Sequence, residues 1–146
     1  MFFIYLFFLW RIKNHMLQHQ NTTAHIGIFD SGVGGLTVAH AINSLLPNEH
    51  IIYFGDTAHT PWGSQSKTAI THYATSICEL LLQFNCKAII VACNTASATA
   101  MHQLEILLNK QPTKVILLDV ISPVIEHIQL HNTGETIGLI GTNQTI

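Results

Sequence analysis

The sequence predicts an α/β protein built on a parallel sheet with helices on both faces. Short apolar runs alternate along the chain with longer segments in which apolar residues recur every three or four positions. The run at residues 88–92 is apolar throughout, which is typical of a strand covered on both faces of a parallel sheet. Polar, glycine-containing loops follow several of these runs. Open parallel sheets bind ligands in such loops, beyond the carboxyl ends of the strands.

Five strands are predicted, each as a short apolar run with turn-forming residues around it. They lie at residues 26–29, 51–54, 88–92, 115–118 and 137–140. Since helical segments separate these runs, consecutive strands need crossover connections, and we expect them to be parallel.

Helices are predicted in the gaps between the strands. The clearest is at residues 67–84, where the apolar stripe follows the capping residue Ser66. The other helices are predicted at residues 36–46, 95–109 and 123–130.

Three regions are predicted along the chain. Residues 1–25 are an extension outside the fold. Its first ten residues are almost wholly apolar, but a membrane span needs about twenty, and Arg11 and Lys13 follow this run, whereas a signal peptide carries its charges before the run. Residues 26–119 are expected to form the first α/β domain. Residues 120–146 are expected to open a second α/β domain that is incomplete.

Composition excludes several function classes. The chain is 48% hydrophobic and 10% charged, with a formal net charge of -2, so no basic stripe for nucleic acid is expected. The three cysteines form no CxxC pair, which suits a reducing cytoplasm better than a disulfide scaffold. The ten histidines include i,i+4 pairs but no zinc-protease arrangement, and no metal site is predicted.

Cys93 is the main candidate for a catalytic residue. It follows the apolar run at residues 88–92 and precedes a predicted helix that Asn94 or Thr95 can cap. Unsatisfied amides and the positive end of the helix dipole favour a thiolate at such a position. The alternative is a small cysteine buried in the core, and the polar residues that follow Cys93 argue against it.

Two further loops carry polar groups to the same edge of the predicted sheet. Residues 30–35 offer a carboxylate, a hydroxyl and glycines that let backbone amides approach a ligand. Residues 55–64 form a longer polar loop after the second strand. With Cys93 they suggest a site for a zwitterionic amino acid, its ammonium on Asp30.

The residues of these loops also fit other interpretations. A tight strand-to-helix turn would by itself explain the glycines of residues 30–35. Thr37 stands where a dinucleotide fingerprint needs glycine, and no Gly-Lys-Ser/Thr ending follows, which argues against nucleotide binding. A cysteine hydrolase would need His59 or His102 as the partner of Cys93.

Three segments of the chain resemble the amino-terminal motifs of bacterial glutamate racemases. These segments are DSGVGGLT at residues 30–37, GDTAHTPWG at 55–63 and VACNTASA at 91–98. The resemblance covers about residues 26–146 and implies an aspartate/glutamate racemase-like fold. It also implies cofactor-independent interconversion of L- and D-glutamate in the cytoplasm, supplying D-glutamate for peptidoglycan. The resemblance thus implies glutamate as the small-molecule partner and no nucleic-acid or membrane partner. It leaves open whether the protein forms a homodimer.

The resemblance also implies the roles of individual residues. Cys93 is one catalytic acid/base. The implied substrate contacts are Asp30, Ser31, Trp62, Gly63, Asn94 and Thr95.

Two departures from the family pattern affect the expected activity. Trp62 stands where the family usually has tyrosine, so a hydroxyl is lost, although the Gly63 amide remains. The family's second cysteine, followed by Thr-His, has no match here, and neither Cys78 nor Cys86 fits that motif. Inverting a stereocentre needs proton removal on one face and delivery on the other, so we expect the chain alone to be inactive.

We therefore expect this chain to be the amino-terminal portion of a glutamate racemase. The alternatives are a catalytically inactive remnant, a carboxylate-binding protein, or a related aspartate racemase.

Overall fold

The computed structural model describes residues 23–146, in which four strands form one parallel sheet. The strands are β1 (His25–Asp30), β2 (Ile51–Gly55), β3 (Cys86–Val91) and β4 (Ile116–Asp119), in the order β2-β1-β3-β4. The predicted positions of the first four strands are confirmed to within two residues. Residues 1–22, most of the predicted amino-terminal extension, lie outside the described part of the chain.

The two central strands are the most deeply buried, because each has a neighbouring strand on both edges and helices on both faces. All residues of β1 after His25 are buried, and Phe29 pairs with Val91 of β3. The apolar run at residues 88–92 is thus a central strand and its end, as the sequence predicts.

Helices cover both faces of the sheet, as predicted. Helix α1 (Leu36–Leu45) packs its buried Ile42 on the face that carries Ile28 and Ile90. On the opposite face, α2 (Lys67–Gln83), α3 (Asn94–Thr99) and α4 (Met101–Leu108) pack against the other residues of the central strands, among them Phe29 and Val91. Helix α5 (Ser122–His131) follows β4.

The predicted start of α2 is confirmed in its chemical detail. The Ser66 hydroxyl accepts a hydrogen bond from the Ala69 amide at 3.1 Å, which satisfies one of the free amides of the first turn.

No helix within residues 23–146 combines the length and the apolar character that a bilayer crossing requires.

The prediction of one helix over residues 95–109 is wrong, because the structure breaks it at Ala100 into α3 and α4. In α3 the Ser97 hydroxyl donates to the Cys93 carbonyl at 2.8 Å, and the Thr99 hydroxyl donates to the Thr95 carbonyl at 2.6 Å. Hydroxyls that bond the carbonyl four residues back compete with the helix ladder and bend it. The hydroxyl-rich sequence of α3 accounts for the break.

The predicted fifth strand at residues 137–140 is also wrong. This segment has no regular secondary structure, and its Leu139 and Ile140 are 71% and 98% exposed. An apolar run becomes a strand only where a neighbouring strand bonds its backbone, and no strand of residues 23–146 does so. The apolar pattern of residues 137–140 alone therefore does not identify a strand.

Candidate active site at the sheet edge

The strand order brings the loops after β1 and β3 together. These two strands are neighbours at the centre of the sheet, and their chains leave toward opposite faces, β1 into α1 and β3 into α3. This is a topological switch point, where open α/β sheets form a crevice. Asp30 is the last residue of β1, and Cys93 lies two residues beyond β3, so both reach this crevice.

Cys93 itself caps helix α3, which corrects the prediction that Asn94 or Thr95 would do so. The Ala96 amide donates to the Cys93 sulfur at 3.4 Å. The Cys93 thiol donates in turn to the Ser31 hydroxyl oxygen at 3.3 Å. Asn94 is the exposed first residue of the helix. The sulfur takes the capping position because the helix begins directly after it.

Asp30 is buried and fixes the start of α1. One of its carboxylate oxygens accepts a hydrogen bond from the Gly35 amide at 2.9 Å. A Cβ at Gly35 would lie 2.8 Å from the Cβ atoms of both Ala92 and Asp30, so only glycine fits at this position. The glycine-rich loop is thus packed directly against the Cys93 segment.

Trp62 is placed in the core and not at the surface of the crevice. Its side chain is 1% exposed, and its indole nitrogen donates to the Asp56 carboxylate at 3.1 Å. The same carboxylate bonds His59 Nδ1 at 2.8 Å. The structure therefore gives the Trp62 side chain a packing role in the core.

Gly63 and Thr95 both meet the segment that follows residue 141. A Cβ at Gly63 would lie 2.9 Å from the Cβ of Thr142. The buried Thr95 hydroxyl lies 3.3 Å from that of Thr142 and 3.4 Å from that of Thr145. Sequence reasoning missed Thr142 and Thr145, although two threonines three residues apart after an apolar run were a visible signal.

His59 and His102 are not brought to Cys93 as a hydrolase would require. His59 bonds Asp56 and stacks on Tyr73 with a ring-centroid distance of 4.3 Å. His102 is an exposed residue of α4. The hydrogen-bond partners of the Cys93 sulfur are Ser31 and Ala96.

All three cysteines are buried, Cys93 to 5% exposure, so the structure agrees with the expected alternative of a buried cysteine as far as burial goes, and the thiols differ in their surroundings. Burial, helped by the charges of Glu79 and Cys86, raises the pKa of the Cys78 thiol to about 12. Burial raises the pKa of Cys86 to about 11. Both thiols therefore stay protonated near neutral pH. In the part of the chain that the structure describes, no group of three or more His, Cys, Asp or Glu side chains is placed to hold a metal ion.

The chain is similar in sequence and structure to glutamate racemases. No protein-family model matches it. It is 42% identical over 132 residues to the glutamate racemase of Chlorobaculum parvum, which is 90% of this chain and 47% of that protein. The structure of glutamate racemase from Aquifex pyrophilus matches with a TM-score of 0.75 at 41% identity, covering 83% of this chain and 46% of that one.

A second similar structure is that of a complex with a ligand. Glutamate racemase from Francisella tularensis, in complex with D-glutamate, matches with a TM-score of 0.74 at 40% identity over 85% of this chain and 44% of that chain. The chain thus spans a little under half the length of the relatives that it matches. Over that half, the chain is similar to glutamate racemases in both sequence and fold.

Proposed function

We propose that this chain is the amino-terminal portion of a glutamate racemase, in which Cys93 moves the proton of the glutamate α-carbon. The observation that carries the proposal is the Cys93–Ser31 pair at the switch point of the sheet, in a chain about 42% identical to glutamate racemases. A thiol at a ligand crevice, bonded to a hydroxyl and to a helix amide, is suited to acid/base chemistry.

The proposed reaction needs no cofactor. The Cys93 thiolate removes the α-proton on one face of glutamate, and the electron pair left on the α-carbon delocalises into the adjacent carboxylate. A second acid, outside the three motifs described, returns a proton to the opposite face. The Ala96 amide stabilises negative charge on the sulfur before the transfer.

The remaining residues of the crevice are proposed to bind the substrate. Asp30 is the carboxylate that faces the substrate ammonium, since it lies at the end of β1 beside the Cys93 segment. Ser31, Asn94, Thr95 and the Gly63 backbone are the proposed contacts for the substrate carboxylates. The side chain of Trp62 is left out of this set because it is buried in the core.

Glutamate is the proposed substrate because the similar Francisella tularensis enzyme was crystallised with D-glutamate. A cytoplasmic role in supplying D-glutamate for peptidoglycan agrees with this substrate. Residues 120–146 are proposed to open the second domain, and the contacts of Thr142 and Thr145 with Thr95 support a place for this segment beside the crevice.

The proposal is tested by racemisation in a fusion protein. Residues 26–146 are joined to the carboxy-terminal half of the Chlorobaculum parvum relative, and the optical rotation of L-glutamate is followed, with L-aspartate as the competing substrate. We expect the fusion to racemise glutamate and the 146-residue chain alone to leave its rotation unchanged. A folded fusion without turnover would favour an inactive remnant, and a preference for aspartate would favour an aspartate racemase.

A further inference from the structure

Two hydroxyl groups from β2 and its loop hold the turn that follows β1. The Tyr53 hydroxyl donates to the Gly32 carbonyl at 3.0 Å. The Thr60 hydroxyl donates to the Ser31 carbonyl and also lies 2.9 Å from the Asp56 carbonyl, so its proton is shared between the two. Two consecutive carbonyls of the turn are thereby tied to the neighbouring strand and its loop.

The end of β2 is shaped to receive this turn. A Cβ on Gly55 would collide with the Gly32 carbonyl oxygen, so the turn lies directly against a position that only glycine permits. The far end of the loop is fixed by the Asp30–Gly35 hydrogen bond. Ser31 therefore sits in a segment that is held at both ends and braced from the side.

Cys93 is held independently of this turn. Its position follows from β3 and from the Ala96 amide, whereas the position of Ser31 follows from the bonds to Tyr53 and Thr60. The distance between the Ser31 hydroxyl and the Cys93 sulfur thus depends on how firmly the turn is held.

We propose that Tyr53 and Thr60 are positioning residues for the Cys93 site, which set the Ser31 hydroxyl beside the sulfur by holding the Ser31–Gly32 turn. This inference rests on the proposed function only for its consequence in catalysis. A hydroxyl that accepts from a thiol can rotate to donate to the thiolate, so a fixed Ser31 favours the ionised sulfur.

The electrostatic surroundings of Tyr53 suit this role. Burial, followed by the charges of Asp30 and Cys93, raises the pKa of the Tyr53 phenol above its usual range. The phenol consequently stays protonated and remains a donor to Gly32 over the pH range in which a cysteine ionises.

The test measures alkylation of Cys93 by iodoacetamide in the 146-residue chain as a function of pH. The variants are Tyr53→Phe and Thr60→Val, each of which removes one hydroxyl and keeps the size of the side chain. The matched controls are Tyr73→Phe and Thr75→Val, which make the same chemical changes on α2. Far-ultraviolet circular dichroism verifies that each variant is folded.

We expect Tyr53→Phe and Thr60→Val each to move the midpoint of the Cys93 alkylation profile upward by about half a pH unit, because the thiolate loses an ordered donor. Ser31→Ala should move it in the same direction. Tyr53→Phe should then add nothing in the Ser31→Ala background, since it acts through Ser31. The two controls should leave the midpoint unchanged.

Unchanged midpoints in both Tyr53→Phe and Thr60→Val would overturn the inference. So would additive shifts from Tyr53→Phe and Ser31→Ala, because additivity would mean that the phenol acts on Cys93 by another route. These outcomes are separate from the racemisation test of the fusion protein. A fusion without turnover would remove the proposed function and leave the positioning of Ser31 standing.

Discussion

The Cys93 thiol donates to the Ser31 hydroxyl at 3.3 Å across 62 positions of sequence. Two central parallel strands create this contact, because β1 delivers Ser31 and β3 delivers Cys93 to the same edge of the sheet. The pairing connects two of the three motif segments that the sequence singles out. All three cysteines are buried, and Cys93 is distinguished by its hydrogen bonds with Ser31 and the Ala96 amide at the end of the sheet.

Cys93 should be the most reactive of the three thiols. At pH 8, thiols with pKa values of about 11 and 12 are ionised to about one part in a thousand or less, so Cys86 and Cys78 should react slowly. We expect iodoacetamide to modify Cys93 at least about tenfold faster than either. Mass spectrometry of peptides from the folded chain gives the order, and faster labelling of Cys78 or Cys86 would refute this expectation.

Gly35→Ala should destabilise the protein. The added Cβ would lie 2.8 Å from the Cβ atoms of Ala92 and Asp30, so the glycine loop and the Cys93 segment must move apart. Overpacking of this kind typically costs about 1–3 kcal/mol. Urea unfolding measures the loss in free energy of unfolding.

The matched control for that substitution is Gly138→Ala, where the added Cβ meets no atom within 4 Å. We expect its effect to stay within about 0.5 kcal/mol. Equal losses for the two variants would show that the close packing at Gly35 is not what limits the substitution.

Stability should fall as the pH rises above about 8.5, the usual pKa of an unfolded cysteine. Burial raises the folded pKa values of Cys78 and Cys86, so the unfolded chain loses protons in this range while the folded chain keeps them. This stabilising contribution is complete below the unfolded pKa and is lost toward pH 11–12. The slope is at most about 1.4 kcal/mol per pH unit for each thiol.

Urea unfolding of the wild-type chain and of Cys78→Ala between about pH 8 and 9.5 measures this slope; the upper limit keeps unfolded tyrosines, with a pKa of about 10, mostly protonated. Cys78→Ala is expected to lower the overall stability and to flatten the pH dependence. If the two slopes were the same, the Cys78 thiol would not be the group that couples folding to pH.

The sequence predicted those parts of the fold that depend on local sequence patterns. The central strands and the helix start at Ser66 are such cases, because burial on both faces gives an uninterrupted apolar run and a side-chain cap is a local signal. Residues 137–140 failed as a strand because pairing is not a local property. The break at Ala100 comes from hydroxyls that bond carbonyls four residues back, which an apolar stripe does not reveal.

The sequence indicated which residues form the candidate site but not how their side chains are arranged. The sequence singled out Asp30, Ser31 and Cys93, and the structure brings them to one edge because the carboxyl ends of neighbouring parallel strands meet there. It did not indicate that the Trp62 side chain turns inward to Asp56, since its direction depends on a contact within the folded loop. Nor did it indicate that Tyr53, on the adjacent strand, reaches the Gly32 carbonyl.

The central claim is that Cys93 carries the proton of the glutamate α-carbon. The most direct measurement follows deuterium uptake from solvent into the α-position of L-glutamate by proton NMR, together with optical rotation, in the fusion protein and in its Cys93→Ala variant. We predict that the fusion exchanges and inverts the α-carbon, and that Cys93→Ala loses inversion by at least about 10²-fold while still binding glutamate weakly. Unchanged exchange and inversion in folded Cys93→Ala would contradict the account.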